Sequence, residues 1–487
     1  MLPGVRFKIQ NGALKGQNVS QDGVSGVILT GVAGSAGVAP TWELTVESAP
    51  SAALTLGFNF PDGSVLPLAI AGTETIAQIA EAISNLVKVG YTFELTAEAV
   101  VLITAPLSLA ETVVSGDFGI DYGSFISVSN FNAGTKPGIE LNKAYKVTML
   151  SQAETLGITA TGSNSFAYKI ISDFYKMAAE GSELYFFLVS DSVLMSQMID
   201  KDYGIIANFQ TQTKGRVRNL TITRIASAEF NAGPNSLDED VATAVRMGEI
   251  TRLYYVEKMK PFRLIVDGKN FTGNSEALID WRTENNSGVA IFLSSSTASN
   301  NASVGLLLGS KAQQPVQRKV SRVKNGKLPI DAAFLTNLEN SEDEEAIWDE
   351  LHKKGYIFIR TYPHKTGLFF SSDTTCTSLT DDYSSLARGS VIDKGMIIAY
   401  LVFVEEIDDE IDTDDNGDLD AGQVKDLQST IEETLGARMV QNKECTSAIC
   451  VIDPNQDTNS SGNLDIILRI KPRGYKTYIN VNLGFTL

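Results

Sequence analysis

The sequence is poor in the side chains that most enzymes use. Its 487 residues include three cysteines, Cys376, Cys445 and Cys450, and two histidines, His352 and His364. Three thiols are too few for a disulfide framework, and they are not spaced like a zinc site. Histidine is the usual acid–base catalyst and metal ligand near neutral pH, so its scarcity argues against an enzyme. Basic residues are also short: 40 Lys and Arg stand against 58 Asp and Glu, a net charge of -18. A surface this acidic is unsuited to wrapping nucleic acid or settling on an anionic membrane. No run of 18 or more apolar residues is present to span a bilayer. The opening residues MLPGVRFKIQNG lack the apolar core of a secretory signal. Folding and assembly in a cytoplasm are the expectation. No GxSxG, HExxH or paired-Cys motif occurs, and nothing orients Cys376 and His364 as a nucleophile and its base.

Apolar residues make up 43% of the chain, enough for real cores in roughly two to four domains. Val5, Phe7 and Ile9 alternate with Arg6, Lys8 and Gln10, the period of a strand. A Gly/Ser/Asn-rich stretch (11–26) precedes the apolar run 27–29. GVAGSAGVAP (31–40) reads as a linker into a small α+β unit almost free of basic residues. Strands are expected there at 42–46, 53–58, 91–95 and 100–104. One helix carries Ile76, Ile79, Ala80, Ile83, Leu86 and Val87 on one face, with Thr75 and Gln78 as its capping box. From about 140 to 365, helices at 166–179, 237–259 and 341–354 alternate with strands at 184–189, 220–225, 263–266, 289–293 and 356–359. That order predicts helices packed on a sheet. Ser341 and Glu344 suggest a capping box for the third helix. Beyond 366 come a helix (391–404), an acidic loop, a second helix (about 423–440) and strands at 464–470 and 477–485. The domain boundaries so read are 1–30, 31–135, 136–365 and 366–487.

Several local patterns invite a chemical reading. Asp412, Asp414, Asn416, Gly417, Asp418, Leu419 and Asp420 match seven positions of a calcium loop, an oxygen-rich cage around a tight glycine turn. Its twelfth position holds Gln423 instead of a bidentate Glu, and no entering helix stands in register. A solvated acidic loop between two helices is therefore the competing reading. Lys311, Arg318, Lys319, Arg322, Lys324 and Lys327 cluster without an acid between them. In so acidic a chain they form either a basic surface loop or a patch that meets an acidic surface, such as 405–420 of a neighbouring copy. GLLLGSK (305–311) is not a phosphate loop: the spacing is wrong and Ala312 replaces the magnesium-binding hydroxyl. At the other end, Ile479, Val481, Leu483 and Phe485 alternate with Asn480, Asn482 and Gly484. An amphipathic strand with no hairpin partner must find a sheet edge. It either closes a sheet of its own chain or adds to the sheet of another copy, with alternate side chains setting the register.

The order of these segments resembles the tail sheath proteins of contractile phages and related injection systems. LPGVRFKIQNG with GVSGVILTG is similar to the N-terminal arm and first core strand of that family. NKAYKVTMLSQAETLGIT resembles the re-entry after an insertion, SFAYKIISDFYKMAAEGSELYFFLVS the helix and strand of the core, and GYIFIRTYPHKTGLFFSSDTTC the strand pair near its end. VIDKGMIIAYLVFVEEI, QVKDLQSTIEETLGARMV and LDIILRIKPRGYKTYINVNLGF follow the family's order of helix, helix, hairpin and terminal strand. The unit containing TIAQIAEAISNLV resembles the decorating domain of many sheaths. The likeness spans most of the chain in element order and is close in the last part; the acidic 405–420 loop and the basic 311–327 depart from it.

The resemblance implies an α/β core, an inserted α+β domain, and a C-terminal α+β domain that shares strands with its neighbours. It implies a structural subunit, not an enzyme, without cofactor, in a homo-oligomeric stack of hexameric rings around an inner tube protein. Baseplate and terminator or cap proteins would be the further partners, in a virion tail or injection particle. The exchanged strands would use Val5, Phe7, Ile9, Tyr478, Ile479, Val481, Leu483 and Phe485. The 424–439 helix would turn Val424, Leu427, Ile431 and Leu435 inward and offer Lys425, Gln428, Glu432, Glu433 and Arg438 to the tube. Arg318, Lys319, Arg322 and Lys324 would make charge contacts between subunits. A static strand-exchanged shell, fibre or surface layer is the alternative, and an enzyme with a metal site at 412–420 a third reading.

Overall fold

Strand β1 (Ser25–Thr30) is buried along its whole length, the mark of a strand covered on both faces. It opens the described part of this computed structural model, residues 23–479 apart from 111, 122–123, 136–137, 228–229, 231–234, 414–416 and 457–461. The expected arm strand with Val5, Phe7 and Ile9 lies outside these residues. The chain divides into two units, residues 1–32 with 141–487, and residues 33–140.

The 33–140 unit holds β2 (Thr41–Val46), β3 (Leu54–Asn59), β4 (Val65–Ile70), α1 (Ile76–Ser84), β5 (Thr92–Ala97), β6 (Val100–Thr104), β7 (Gly119–Asp121) and β8 (Ile126–Asn132). They form antiparallel sheets in the orders β5-β6-β2-β8 and β4-β3-β7. Trp42, Leu44 and Val46 alternate inward to a core shared with Phe58, Phe60 and Phe118. The box at the start of α1 is present: Gln78 N donates to Thr75 Oγ1 at 3.3 Å, and Thr75 N to Gln78 Oε1 at 2.9 Å. The helix stops at Ser84, so Val87 is 85% exposed instead of joining the apolar face. Strand β4 escapes the sequence reading because Pro67 interrupts it. It is the edge of its sheet, where a missing N–H is tolerated. The unit's two ends meet: Gly34 N donates to Ile139 O at 2.8 Å, and Val38 bridges Thr135. A Cβ on Gly34 would lie 2.4 Å from Gly138 Cα.

The larger unit continues with β9 (Ala144–Val147), α2 (Leu150–Thr155), α3 (Ser165–Met177), β10 (Leu184–Val189), α4 (Met195–Ile199), α5 (Ile205–Gln212), β11 (Asn219–Thr223), α6 (Glu239–Glu257), β12 (Arg263–Asp267) and β13 (Val289–Phe292). The sheet runs β13-β12-β11-β1-β10-β9, parallel except for β9 at one edge. With β10 on one side of β1 and β11 on the other, the order is doubly wound and reverses at β1. Ile28, Phe187, Ile222, Leu264 and Ile291 pack on one face with α4, α5 and α6. On the other, β14 (Ser294–Ser295) leads into α7 (Val304–Gln313), which covers β1, β11 and β12 and carries α3. The GLLLG segment belongs to this contact. A Cβ on Gly305 would lie 2.1 Å from Ile170 O, and one on Gly309 2.3 Å from Phe174 O.

Next come β15 (Phe334–Leu335), α8 (Trp348–Lys353), β16 (Ile359–Tyr362), β17 (Lys365–Phe370), α9 (Leu386–Phe403), α10 (Ala421–Leu435), β18 (Cys445–Ile452) and β19 (Ile466–Pro472). The helix expected over 341–354 shrinks to α8. Ser341 caps nothing; its hydroxyl donates to Ile359 O, and Glu344 stands before a 3-10 turn. The strand expected at 356–359 reduces to one parallel bridge, Ile357 with Phe292, before the β16–β17 hairpin. That hairpin spans residue 365, and 366–487 does not part as a separate unit. Ile398, Ile431, Leu435, Met439, Cys450 and Ile452 nevertheless form their own core.

Candidate functional site

The hairpin β18–β19 is a two-stranded sheet among the described residues. Cys445, Cys450 and Ile452 turn into the core, while Ile449, Val451 and Ile467 lie on the outer face, each about half exposed. Cys450 N points away from β19 and donates to Glu432 Oε1 at 2.8 Å. A side chain therefore closes this point of the β18 edge, a common guard against unwanted strand pairing. Beyond β19 no described residue pairs with its outer edge. The chain then runs without strand structure over 473–479.

One residue of that tail is held down. The Tyr475 hydroxyl donates to Gln317 O at 2.6 Å, and Lys319 Nζ sits 4.6 Å above its ring. Burial pushes this phenol up to about 12. Tyr478 and Ile479 are then 72% and 74% exposed. Val481, Leu483 and Phe485 lie outside the described residues.

Helix α10 begins at Asp420, whose carboxylate accepts from Gln423 N at 2.9 Å. Val424, Ile431 and Leu435 are buried and Leu427 half-buried, the expected inward stripe. Lys425 and Glu433 are exposed and Gln428 is half-buried. Glu432 departs from the expected outward set by bonding to β18. Arg438 lies in a π-helical turn, Gly436–Val440. It lines a cavity of ≈ 500 Å³ together with Arg216, Arg218 and Lys394.

Of the proposed calcium ligands, Asp414 and Asn416 lie outside the described residues. Asp412 and Asp420 each bond to Gln423 at the start of α10. Gln423 Oε1 accepts from Asp412 N at 2.9 Å, and Gln423 Nε2 donates to Asp412 Oδ2 at 2.8 Å. The residue at the loop's twelfth position thus ties down the first. Thr413 bridges Leu419, which brings Asp418 beside the same turn. No group of three or more potential ligands gathers among the described residues.

The basic segment does not form one exposed patch. Lys311 is 3% exposed, and its ammonium donates to Val316 O at 3.2 Å. Asp373 faces it from a fully buried position; burial lowers Lys311 and raises Asp373. Asp373 also accepts from Val320 N at 3.2 Å and Ala387 N at 2.9 Å, binding the segment to the start of α9. Lys319 is half-buried under Tyr475, and burial lowers its ammonium. Arg318 donates to Gln314 Oε1 at 3.1 Å. Arg322, Lys324 and Lys327 are the exposed cations.

At the carboxyl end of the parallel strands, where doubly wound sheets open a ligand crevice, the chain fills the space itself. Asp267 accepts from Thr223 Oγ1 at 2.6 Å, Asn301 Nδ2 at 2.7 Å and Ala302 N at 2.8 Å. Burial outweighs these donors and pushes its carboxyl up to about 6. At the opposite end of β12, Arg263 grips Asp393 of α9 with two bonds of 2.6 Å, both side chains buried. Cys376 is fully buried and burial drives its thiol far up, while His364 sits in the exposed turn of β16–β17.

Sequence reasoning missed the cationic cavity. Arg216, Arg218, Lys394 and Arg438 are scattered along the chain, and only the fold gathers them.

No curated protein sequence matches this chain. Among solved structures, it is similar to the helical sheath of the anti-feeding prophage (AFP) in the contracted state. The identity is 12%, over 71% of this chain and 88% of that one, with a TM-score of 0.50. A sheath complex of the extracellular contractile injection system PVC, also contracted, matches at 11% identity over 71% and 87%, with a TM-score of 0.46. At such identity the AFP likeness is one of fold: the mixed α/β arrangement here is that of a contractile-system sheath protein. The match by family lies upstream of the segment where the sequence resemblance is closest. The model described as DUF2586, N-terminal domain, covers residues 115–374, more than half of the chain, and the chain belongs to that family.

Proposed function

We propose that this chain is the subunit of a contractile tail sheath, stacked as hexameric rings around an inner tube. One observation carries the reading: a two-stranded hairpin with half-exposed Ile449, Val451 and Ile467, followed by a tail whose residues 478–485 alternate apolar and polar. A sheet this narrow is marginal alone and gains from added strands. Strand addition from a neighbour supplies backbone hydrogen bonds, and alternate side chains fix the register. In this reading the arm strands are those of Val5, Phe7 and Ile9 and of Tyr478, Ile479, Val481, Leu483 and Phe485. The sheath-like fold supports it.

The exposed side of α10 is the surface offered to the tube. Lys425, Glu433 and the half-buried Gln428 make a polar, releasable contact, since exposed charge pairs contribute little each. Of the four cations expected to contact a neighbour, Arg322 and Lys324 are the exposed ones. Contraction requires two packings of the same subunit with the extended one metastable. The strand mesh survives while the cores slide. Energy stored in assembly removes the need for a nucleotide or a catalytic centre. Baseplate and terminator or cap proteins would bound the stack, within a virion tail or injection particle.

Removal of residues 476–487 tests the proposal. The expected variant is a monomer with an unchanged melting profile that forms no tubes by electron microscopy. Tubes of wild-type length would refute strand exchange. Intact wild-type assemblies should show two lattices, extended and contracted; a single lattice under all conditions would favour a static shell instead.

A further inference from the structure

With Lys311 and Lys319 turned inward, the basic segment leaves Arg322, Lys324 and Lys327 exposed to meet the acidic run at 405–412. A different cationic surface is present. The ≈ 500 Å³ cavity is walled by the α9 residues Lys394 and Leu401, by Arg216 and Arg218 just before β11, and by Arg438. Its single lining carboxylate, Asp393, is already held by Arg263. Arg216 pairs with Glu183 at 3.1 Å and Lys394 with Glu444 at 2.8 Å, so these two cations are fixed in place and not wandering in solvent. Ile397, Ile398 and the 52%-exposed Leu401 supply an apolar wall. In a chain of net charge -18 this is an unusual concave site.

The acidic run has the complementary chemistry. Glu405, Glu406, Asp408, Asp409 and Glu410 are all exposed, and among them stands Ile407, 66% exposed. Its far end is anchored, since Ile411 packs on the local core and Asp412 bonds to Gln423. The part left projecting is one apolar side chain flanked by carboxylates. The cavity offers the reverse, an apolar wall rimmed by guanidinium and ammonium groups. Guanidinium donates to more than one carboxylate oxygen through its forked N–H groups, so an internal partner does not exhaust it.

We propose that the 405–410 segment of one copy docks in the Arg216/Arg218/Lys394/Arg438 cavity of a second copy, with Ile407 against Leu401. The inference rests on the sheath reading only for its setting; the contact itself needs just two copies of the chain. Opposite charges steer such contacts and make them salt-dependent.

Two measurements test it on the full chain. The first is binding of a fluorescently labelled peptide of residues 403–412 to soluble wild-type protein. The expected result is saturable binding, weakened at least tenfold by Arg216→Glu with Arg438→Glu, by scrambling the peptide, and by 0.5 M salt. Both arginines are exposed, and unchanged melting checks the fold. Equal binding by the double variant or by the scrambled peptide, or no binding, overturns the proposal. The second is a charge swap read by self-association. Asp408→Lys with Asp409→Lys, or the arginine pair alone, should each raise the critical concentration at least tenfold, and combining all four should restore much of it. A combined variant no better than its parents overturns the proposal. Wild-type protein that never polymerises would count against the sheath reading, leaving the peptide measurement to decide the docking.

Discussion

Asp267 keeps its proton at a pH where exposed carboxyls have lost theirs, because burial outweighs three donors and the nearby Lys269. Its value moves from 3.8 to about 6. A raised carboxyl stabilises the fold fully below the unfolded value, and that contribution is lost as pH rises through the folded one. Wild type should therefore lose about 2 kcal/mol relative to Asp267→Asn between pH 4 and pH 7. Urea unfolding of both proteins at the two pH values measures it; a constant difference would mean that Asp267 is ionised throughout. The Arg263–Asp393 pair behaves differently, since each partner is buried and bonded. Asp393→Ala leaves a buried guanidinium uncompensated and should cost roughly 3–5 kcal/mol, read from the same denaturation curves. Neither role was legible in the sequence. Asp267 is one of 58 acids, and its hydrogen-bond donors Asn301 and Thr223 lie far from it in the chain.

Elements were legible where both faces are buried. LYFFLV at β10 and RLIVD at β12 are continuous buried runs, and the reading of strands there rested on that. Helix α1 was legible from its cap. Helix α7 was not read at all, because its glycines interrupt any amphipathic pattern. Gly305 and Gly309 exist for close approach to the backbone of α3. Gly305→Ala should force the helices apart and cost about 1–3 kcal/mol, the usual penalty for overpacking. A melting temperature equal to wild type would show that the contact can relax. The shortened α8 has the opposite cause: Ser341 offered a cap in sequence, but Ile359 claims its hydroxyl.

For the molecule as a whole, the inserted unit is the part most easily removed. Gly34 and Gly138 touch, and Gly34 N bonds to Ile139 O, so a very short link spans the gap. Replacing residues 36–137 by a few Gly and Ser should leave the six-stranded sheet and its cooperative unfolding intact, as far-ultraviolet dichroism and calorimetry would register. Loss of folding would mean that the unit is structural support and not an ornament. The alternation of helices and buried strands made the α/β layer readable; the terminal arms, read as strands in search of an edge, lie mostly outside the described residues, and a single chain carries no record of what would receive them.

Tyr475 has a mechanical corollary. It is pinned to Gln317 and Lys319, while the alternating segment starts at Tyr478, a span of only about 10 Å of extended chain. If, as proposed, a neighbour takes that segment, it would bring its receiving edge almost to the tyrosine ring. Such a leash has no slack to release. On the proposed sheath reading, contraction that keeps this contact would swivel about the tyrosine and would not unreel the tail.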